Sequence, residues 1–352
     1  MDSAPSISAE PGFGSRLAAR VRQLQAEPAF ANYRRVRKAV LRMMDDWARL
    51  DPDGGPSAYW LEETEGFDYL FDASPLVIGR LREHCHHITG IKAYDYRAHH
   101  AHQRSDYLRK LALLRTLDPG DLFVAEPEAL GGFGFEVGPG LANLDTLKFY
   151  EVMLGLQRVG ELDRFRAGGA SSRVMAEIGS GWGGFAYQFK RLCPKAVIVC
   201  IDLPGTLLFS ATYLLTLFPE ARALVYGEEG FEAGLSSLCD HDFVFLPHFA
   251  FARLPAGELD LAVNMVSFQE MTTGQVEGYA RGLRELGCPA LYSLNRDRSK
   301  HNAELSTVSD VLGRHYPMAP VQLLDEPYTQ LAERKKPREI AVTSYRHLYG
   351  RA

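Results

Sequence analysis

Cysteine is scarce in this chain of 352 residues. The five cysteines are scattered, and no two of them stand in a Cys-x-x-Cys spacing: Cys85, Cys193, Cys200, Cys239 and Cys288. Disulfide scaffolds and structural zinc sites need cysteines in pairs or at short, regular spacing. The sequence therefore excludes both kinds of small scaffold, and it predicts reduced thiols in a cytoplasmic protein.

Long hydrophobic runs and an excess of positive charge are also absent. No apolar stretch approaches the roughly 20 residues that a membrane-spanning helix needs. A net charge of −5 argues against a general nucleic-acid or membrane-surface binder. Residues 1–14 place no apolar segment behind a basic cluster, so we expect a disordered N-terminus rather than a secretory signal.

Helical periodicity dominates the first half of the chain. Apolar residues recur at i, i+3, i+4 and i+7 in "SRLAARVRQLQAE", "YRRVRKAVLRMMDDWARL", "DASPLVIGRLREHCHHI" and "RSDYLRKLALLRTL". Asp72 or Ser74 would cap the third of these segments. The glycine-rich residues 128–145 predict a functional loop, and "TLKFYEVMLGLQRVGEL" predicts a bridging helix. We therefore predict a helical N-terminal domain over residues 15–163 that shapes or covers a substrate pocket.

The period changes after Ser172. Apolar runs of strand length alternate with helical segments, and the runs are "RVMAEI", "AVIVCIDL", "LDLAVNMV" and "PALYSLN". Short buried strands that alternate with helices are typical of βαβ units. The predicted fold class is α/β, with a doubly wound, Rossmann-like sheet over residues 164–352. In such sheets a ligand binds beyond the carboxyl ends of the strands.

A glycine-rich turn, "EIGSGWGG", joins the first of these strands to the next helix. Gly179 would permit the tight turn, Gly181 would let the backbone approach a ligand, and Gly183 or Gly184 would allow close helix packing. The spacing fits dinucleotides and S-adenosylmethionine alike, because Gly179, Gly181 and Gly184 also satisfy Gly-x-Gly-x-x-Gly. A turn that serves packing alone is the plain alternative.

Two acidic residues favour S-adenosylmethionine. Glu177 would place a carboxylate at the strand end, where the ammonium of that cofactor needs a counter-charge and a pyrophosphate would be repelled. Asp202 ends the next strand and would accept hydrogen bonds from ribose hydroxyls, which both cofactors carry. A nicotinamide-dependent oxidoreductase stays open as an alternative of another class, and so does a catalytically inactive partner subunit.

The same residues resemble a known family. "EIGSGWGG" and "CIDLP" are similar to class I S-adenosylmethionine-dependent methyltransferases, and "NMVSFQEM" and "LYSLNR" resemble the bacterial sugar O-methyltransferase family over residues 173–296. The resemblance implies methylation of a hydroxyl on a sugar or a glycosylated small-molecule natural product. A non-sugar oxygen or nitrogen is the alternative acceptor. The predicted cofactor-binding residues are Glu177, Gly179, Ser180, Gly181, Gly183, Asp202, Leu203, Pro247, His248 and Asn264.

Polar residues that follow the runs "LDLAVNMV" and "PALYSLN" are candidates for catalysis. Methyl transfer needs an aligned acceptor and usually a base that takes the hydroxyl proton. Glu270 is the first candidate base, since burial can raise the pKa of a carboxyl; the other interpretation is a cap or ion pair for the following helix. His248 is the second candidate, and otherwise belongs to the loop that covers the adenine. Asn295 and Arg296 complete the predicted catalytic set.

Histidine runs and paired aspartates invite a metal interpretation that their spacing does not favour. "HCHH" at residues 84–87 and "HHAH" at residues 99–102 lack the spacing of a third ligand. Asp240 and Asp242 are typical of an acidic turn before a strand. We therefore predict no metal site. An imidazole of the helical N-terminal domain, called the arm below, would still reach the ligand site if the arm closed over it.

The expected partner is a small-molecule acceptor, with no nucleic acid and no membrane. Trp60 and Trp182 would either stack on a ring of that acceptor or pack in the core. The sequence leaves open whether the protein forms a homodimer.

Overall fold

The structure is a computed structural model of the chain, and it describes residues 12–50, 55–97, 103–167, 172–298, 302, 307–324 and 345–352. The N-terminal part is mainly helical, as predicted. Its helices are α1 (Phe13–Ala26), α2 (Pro28–Leu50), α3 (Ala58–Glu65), α4 (Pro75–Ile78), α5 (Leu81–His84), α6 (His86–Thr89) and α7 (Arg104–Arg115). Helix α1 begins inside the segment that we expected to be disordered, while residues 1–11 lie outside the described residues.

The predicted helix over "DASPLVIGRLREHCHHI" is wrong in its continuity. Three single turns, α4, α5 and α6, replace it, and Gly79 closes the first of them. Glycine is a poor residue for a helix interior, which favours the break at this position. Ser74 precedes α4 but makes no side-chain cap, so the predicted cap is not formed there.

A β-hairpin occupies the glycine-rich segment that we predicted as a loop over residues 128–145. Strand β1 (Phe135–Val137) pairs antiparallel with β2 (Gly140–Ala142). A Cβ added at Gly134 would lie 2.5 Å from the carbonyl oxygen of Ala142, and Gly138 has a φ of +60° in the turn. The glycines therefore allow close backbone packing and a tight turn, rather than flexibility.

The predicted bridging helix is confirmed as α8 (Leu144–Arg158), which is followed by the shorter α9 (Glu161–Arg166). Asn143 starts α8 with a capping box: its side chain accepts from the Thr146 N–H, and the Thr146 hydroxyl accepts from the Asn143 N–H. Such a cap satisfies backbone N–H groups that have no partner within the helix.

An eight-stranded sheet forms the second half of the chain. Its strands are β3 (Val174–Ile178), β4 (Val197–Asp202), β5 (Ala223–Val225), β6 (Phe243–Pro247), β7 (Leu261–Met265), β8 (Ala290–Arg296), β9 (Ala319–Pro320) and β10 (Tyr345–Arg351). The order across the sheet is β5-β6-β4-β3-β7-β8-β10-β9. Strands β3 to β8 are parallel, and the order reverses at β3, with β4 on one side and β7 on the other. This topology confirms the doubly wound α/β fold, whose ligand crevice lies at the reversal.

Helices cover the sheet between its strands: α10 (Gly184–Leu192), α11 (Pro204–Leu217), α12 (Phe231–Leu235), α13 (Thr273–Glu285) and α14 (Val308–Gly313). No helix in the described part of the chain is both long and apolar enough to cross a bilayer.

The helical arm and the sheet share one hydrophobic core. Helix α2 packs along α11, and the buried side chains of both helices belong to a continuous apolar cluster. The rings of Phe67 in the arm and Phe209 in α11 meet edge to face at 5.3 Å between centroids. Helix α11 is buried almost all round, so removing the arm would expose one of its apolar faces.

Candidate active site

A cavity of about 490 Å³ lies beyond the carboxyl ends of the parallel strands. Most of the predicted site residues line it: Glu177, Gly179, Ser180, Gly181, Asp202, Leu203, His248, Glu270 and Arg296. The carboxyl ends of parallel strands meet at one edge of a sheet, which explains how residues spread over 120 positions of sequence come to share a cavity.

The glycine turn at the start of α10 uses its glycines in different ways. Gly179 has a φ of +74°, and a Cβ there would lie 2.2 Å from Ser267 Oγ. Gly183 has a φ of +86°, and a Cβ there would lie 3.1 Å from the Cα of Ser210 in α11. Gly181 has a φ of +54°, but a Cβ there would meet only Ile88, at 3.5 Å. Gly179 and Gly183 thus serve packing, whereas Gly181 keeps cavity wall free of a side chain.

Glu177 is the second-last residue of β3, and one oxygen of its buried carboxylate has no partner. Its side chain accepts a hydrogen bond from the backbone N–H of Ala186, and Oε2 has no hydrogen-bond partner. Burial raises the pKa of Glu177 well above its ordinary value, and the nearby Asp202 raises it further, whereas Lys148 opposes the shift. A buried polar atom without a partner is unfavourable, so this oxygen is suited to a cationic donor from a ligand.

Asp202 ends β4 and holds the glycine turn. Its Oδ2 accepts from the Gly181 N–H at 2.7 Å, and its Oδ1 accepts from the Leu203 N–H at 2.7 Å. Burial raises the pKa of Asp202 to about 7, although these backbone hydrogen bonds lower it. Each carboxylate oxygen can accept a second hydrogen bond, so the side chain can still bind ligand hydroxyls.

Glu270 ends a 3-10 turn over Phe268–Glu270, after β7. Its carbonyl oxygen accepts from Ser57 Oγ at 2.6 Å, and the side chain of Trp60 donates to its carboxylate. Burial raises the pKa of Glu270 to about 8, while Lys148 and the Trp60 hydrogen bond lower it. The helix α13 that follows is capped by Thr272 and Gln275 instead, so the alternative interpretation of Glu270 as its cap is not supported by the contacts.

A strained residue lies between β7 and Glu270. Val266 lines the cavity with a φ of +60°, in the left-handed region that β-branched residues rarely adopt. Its N–H donates to the carbonyl of Leu294 at 2.8 Å, which holds it against β8. Backbone strain of this kind is concentrated at functional sites, where the surrounding structure enforces it.

Asn264 and Asn295 do not line the cavity, so the predicted roles at the cofactor and in catalysis are corrected here. Asn264 donates to the carbonyl of Ile178 at 2.8 Å and accepts from the Phe268 N–H at 3.1 Å. Asn295 donates to Asn264 Oδ1 at 2.8 Å. Both side chains are buried and used in tying together the ends of β3, β7 and β8, so they are positioning residues.

Gly183 and Pro247 also lie outside the cavity lining, because the first packs against α11 and the second pairs with Asp202 inside the sheet. His248, directly after β6, does line the cavity. Its ring meets Trp47 of the arm edge to face, at 4.5 Å between centroids. Because β6 lies beside β4, His248 lines the cavity near Asp202. Glu270 follows β7, which lies on the other side of β3 in the strand order.

The arm supplies the wall opposite the strand ends, where the sequence indicated only Trp60 and the histidines of residues 84–87. Helices α3, α6 and α8 line the cavity with Tyr59, Trp60, Glu63, His86, His87, Ile88, Leu144, Lys148, Phe149 and Glu151. Tyr69 Oη lies 2.6 Å from His84 Nδ1 and 3.3 Å from His87 Nε2. Burial and neighbouring histidines lower the pKa of both His84 and His87. The second histidine run, residues 99–102, lies outside the described residues.

A buried ionic cluster joins the arm to the glycine turn. Arg82 donates to Glu126 Oε1 at 2.6 Å and to Asp145 Oδ2 at 2.9 Å, and its guanidinium lies 3.7 Å from the ring centre of Trp182. Lys148 Nζ lies 3.2 Å from Asp145 Oδ1. Burial opposes the charged form of Arg82, but Glu126 and Asp145 outweigh it and raise its pKa. The cluster fixes Trp182 and Lys148, which both line the cavity.

The acidic pair near β6 lies away from the cavity. Asp242 accepts from Lys190 at 2.9 Å and from Arg222, in agreement with an acidic turn before a strand. Among the described residues, no three or more His, Cys, Asp or Glu side chains form a group able to hold a metal ion.

No family model matches the chain, and neither does any curated protein sequence. Solved structures with a similar chain trace include WbdD, a bifunctional kinase-methyltransferase, at 13% identity and a TM-score of 0.41 over 68% of this chain and 46% of that one. Others are the magnesium protoporphyrin IX methyltransferase ChlM from Synechocystis PCC 6803 (12% identity, TM-score 0.35, 61% of this chain and 87% of that one) and the small RNA methyltransferase HEN1 (13%, 0.36, 63% and 28%). This chain thus aligns with less than half the length of WbdD.

Proposed function

We propose that the protein is an S-adenosylmethionine-dependent methyltransferase that methylates a hydroxyl on a sugar or a glycosylated small molecule. One observation carries the proposal: Glu177 offers a buried, unpartnered carboxylate oxygen to the cavity at the end of β3, beside the open backbone of Gly181.

The residues present fit this cofactor. Glu177 would accept from its ammonium group, Asp202 would accept from its ribose hydroxyls, and the missing side chain at Gly181 leaves room for it. A dinucleotide fits less well, because its pyrophosphate would meet the carboxylate of Glu177 where a phosphate site needs free N–H donors. The Gly181 N–H already donates to Asp202.

When bound, this cofactor supplies a methyl group on a sulfonium, which is a good leaving group for displacement by an oxygen nucleophile. The chain's own residues would orient the acceptor, exclude water and take its proton. The arm wall formed by α3, α6 and α8 serves the exclusion of water, because it closes the cavity opposite the strand ends.

Glu270 is the base that the geometry supports best. It lines the cavity, and a raised pKa of about 8 makes its ionised form a stronger base than an ordinary carboxylate. Trp60 and Ser57 hold it from the arm, so the carboxylate is fixed in place. His248 lines the wall near Asp202, which suits a contact with the adenine side of the cofactor.

The sugar acceptor rests on the resemblance of "NMVSFQEM" and "LYSLNR", and on a lining that combines polar groups with the rings of Tyr59 and Trp60. Aromatic rings beside hydrogen-bonding groups suit a ring-shaped hydroxylated ligand. A non-sugar oxygen or nitrogen acceptor is the second candidate within the same chemistry.

The test is the identity of the ligand that the protein retains on purification, read by mass spectrometry. S-adenosylmethionine or S-adenosylhomocysteine is expected, whereas a bound nicotinamide dinucleotide would contradict the proposal. Acceptors are then screened with a cofactor that carries a trideuterated methyl group. A labelled product identifies the acceptor, and its absence together with an empty protein would favour an inactive partner subunit.

A further inference from the structure

We infer that Arg296 binds an anionic group of the acceptor, a carboxylate or a phosphate, so that the acceptor is a hydroxylated acid such as a uronic acid or a sugar phosphate. This inference rests on the proposed methyl transfer, since it names the substrate class of the same cavity.

Arg296 presents hydrogen-bond donors that the protein does not use. It is the last residue of β8 and lines the cavity. Its backbone N–H donates to Gln269 Oε1 at 2.9 Å, but its side-chain Nε is buried and has no hydrogen-bond partner. Within the described ranges, no carboxylate lies within ion-pair distance of its guanidinium. A buried donor without a partner is unfavourable, which points to a ligand as the missing acceptor.

The guanidinium is held in a fixed plane. Its centre lies 4.5 Å from the ring centre of Tyr345, at the start of β10. Stacking on an aromatic face limits the rotation of the side chain while leaving the N–H edge open. A planar fork of N–H donors matches the two oxygens of a carboxylate or phosphate.

The other cations of the cavity region differ from Arg296, because they already have carboxylate partners. Lys148 lies 3.2 Å from Asp145, and Arg82 is paired with both Glu126 and Asp145. A substrate anion can therefore pair with Arg296 without breaking an ion pair among the described residues.

The order of the strands separates this cation from the cofactor end. Adjacent strands lie about 4.8 Å apart, so the end of β8 lies roughly 10 Å from the end of β3, with β7 between them. Glu177 lies in β3, Glu270 follows β7, and Arg296 ends β8. Gln269, the chain neighbour of Glu270, accepts from the Arg296 N–H at 2.9 Å, so Glu270 and Arg296 belong to the same end of the cavity, away from the cofactor end.

The experiment compares matched neutral and anionic ligands by calorimetry, with and without saturating S-adenosylhomocysteine. The probes are glucose, glucuronate, glucose 6-phosphate, 4-hydroxybenzyl alcohol and 4-hydroxybenzoate. At least one anionic probe should bind at least about tenfold more tightly than its neutral counterpart, as a charge-assisted hydrogen bond predicts. Glucuronate and 4-hydroxybenzoate against glucose 6-phosphate distinguish a carboxylate site from a phosphate site.

Variants identify the residue responsible. Arg296→Gln should abolish the preference for the anion and leave the affinity for S-adenosylhomocysteine within about threefold of wild type. Arg296→Lys should retain part of the anion preference. Arg298→Gln is the matched control, because Arg298 is exposed, lies outside the cavity lining and should change nothing. Equal binding of every neutral and anionic pair, or an anion preference that survives in Arg296→Gln, would overturn the inference. If the wild-type protein does not bind S-adenosylhomocysteine, that result counts against the proposed function and not against the role of Arg296.

Discussion

Replacing Glu177 by glutamine removes the group that can ionise to pair with the ammonium of the cofactor, and it keeps the shape of the side chain. In the wild type, one oxygen accepts from the Ala186 N–H, and Oε2 is buried without a partner. The amide oxygen of glutamine can still accept from Ala186, so the fold should survive. The substitution should even stabilise the ligand-free protein, because it removes a carboxylate that burial makes unfavourable.

The expected loss concerns the ammonium group of the cofactor. A hydrogen bond to a charged group contributes about 1.5–3 kcal/mol, which corresponds to a loss of roughly 10-fold to 150-fold in affinity at about 1.4 kcal/mol per factor of ten. The size of this loss in affinity should depend on pH. Because burial raises the pKa of Glu177, binding of an ammonium must release its proton. Wild-type affinity should therefore rise with pH, and that of the variant should not.

The assay is isothermal titration with S-adenosylhomocysteine and with 5′-methylthioadenosine, which has the nucleoside but lacks the ammonium. Glu177→Gln should weaken only the first ligand. The matched control is Glu63→Gln, which removes a carboxylate from the arm wall of the same cavity and should affect neither ligand. An equal loss for both ligands, or no loss for S-adenosylhomocysteine, would refute the assignment of Glu177 to the ammonium.

Three further predictions concern other parts of the site. Gly181→Val should abolish S-adenosylhomocysteine binding by calorimetry, because its side chain would enter the cavity and a φ of +54° disfavours a β-branched residue in the turn. Circular dichroism should stay close to wild type, since the strain is confined to one turn residue and the new Cβ would meet only Ile88; an affinity within a few-fold of wild type would mean that the glycine serves packing alone. Glu270→Gln should lower kcat by at least about 100-fold with cofactor affinity unchanged, and wild-type kcat should increase with pH up to about 8, because the base must be unprotonated; a larger effect of His248→Asn on kcat would transfer the role to that imidazole. Arg82→Met should reduce the free energy of unfolding in urea by about 3–5 kcal/mol, because Glu126 would keep a buried charge without a cation and Asp145 would keep only Lys148, whereas the exposed Arg80→Met should change it little; similar effects of the two would contradict the buried cluster.

The sheet was predictable because its signals are local. The apolar runs and the glycine turn each lie within a few residues, and β3, β4, β7 and β8 formed where those runs predicted them. Strand β10 was not predicted, because it is an antiparallel strand near the edge whose residues are only partly buried. The hairpin of β1 and β2 was missed because the close approach of Gly134 to Ala142 is a contact across the turn that composition does not show.

The sequence predicted which strand ends carry site residues, but it did not predict which of their side chains face the cavity. Sequence position placed Asn264 and Asn295 at strand ends, yet it gave no information on which way each side chain points, and both turn into the sheet. The arm wall was harder still. Trp60 and Lys148 reach the cavity from segments that lie far from the glycine turn in sequence, and only the packing of α3 and α8 brings them there.

The most direct test of the central claim is a calorimetric titration of the purified, ligand-free protein with S-adenosylhomocysteine and, separately, with NAD. The carboxylates of Glu177 and Asp202 near the ends of β3 and β4 predict saturable, one-to-one binding of S-adenosylhomocysteine. Because the carboxylate of Glu177 would repel a pyrophosphate, we expect no detectable binding of the dinucleotide. Binding of NAD in place of S-adenosylhomocysteine would contradict the account.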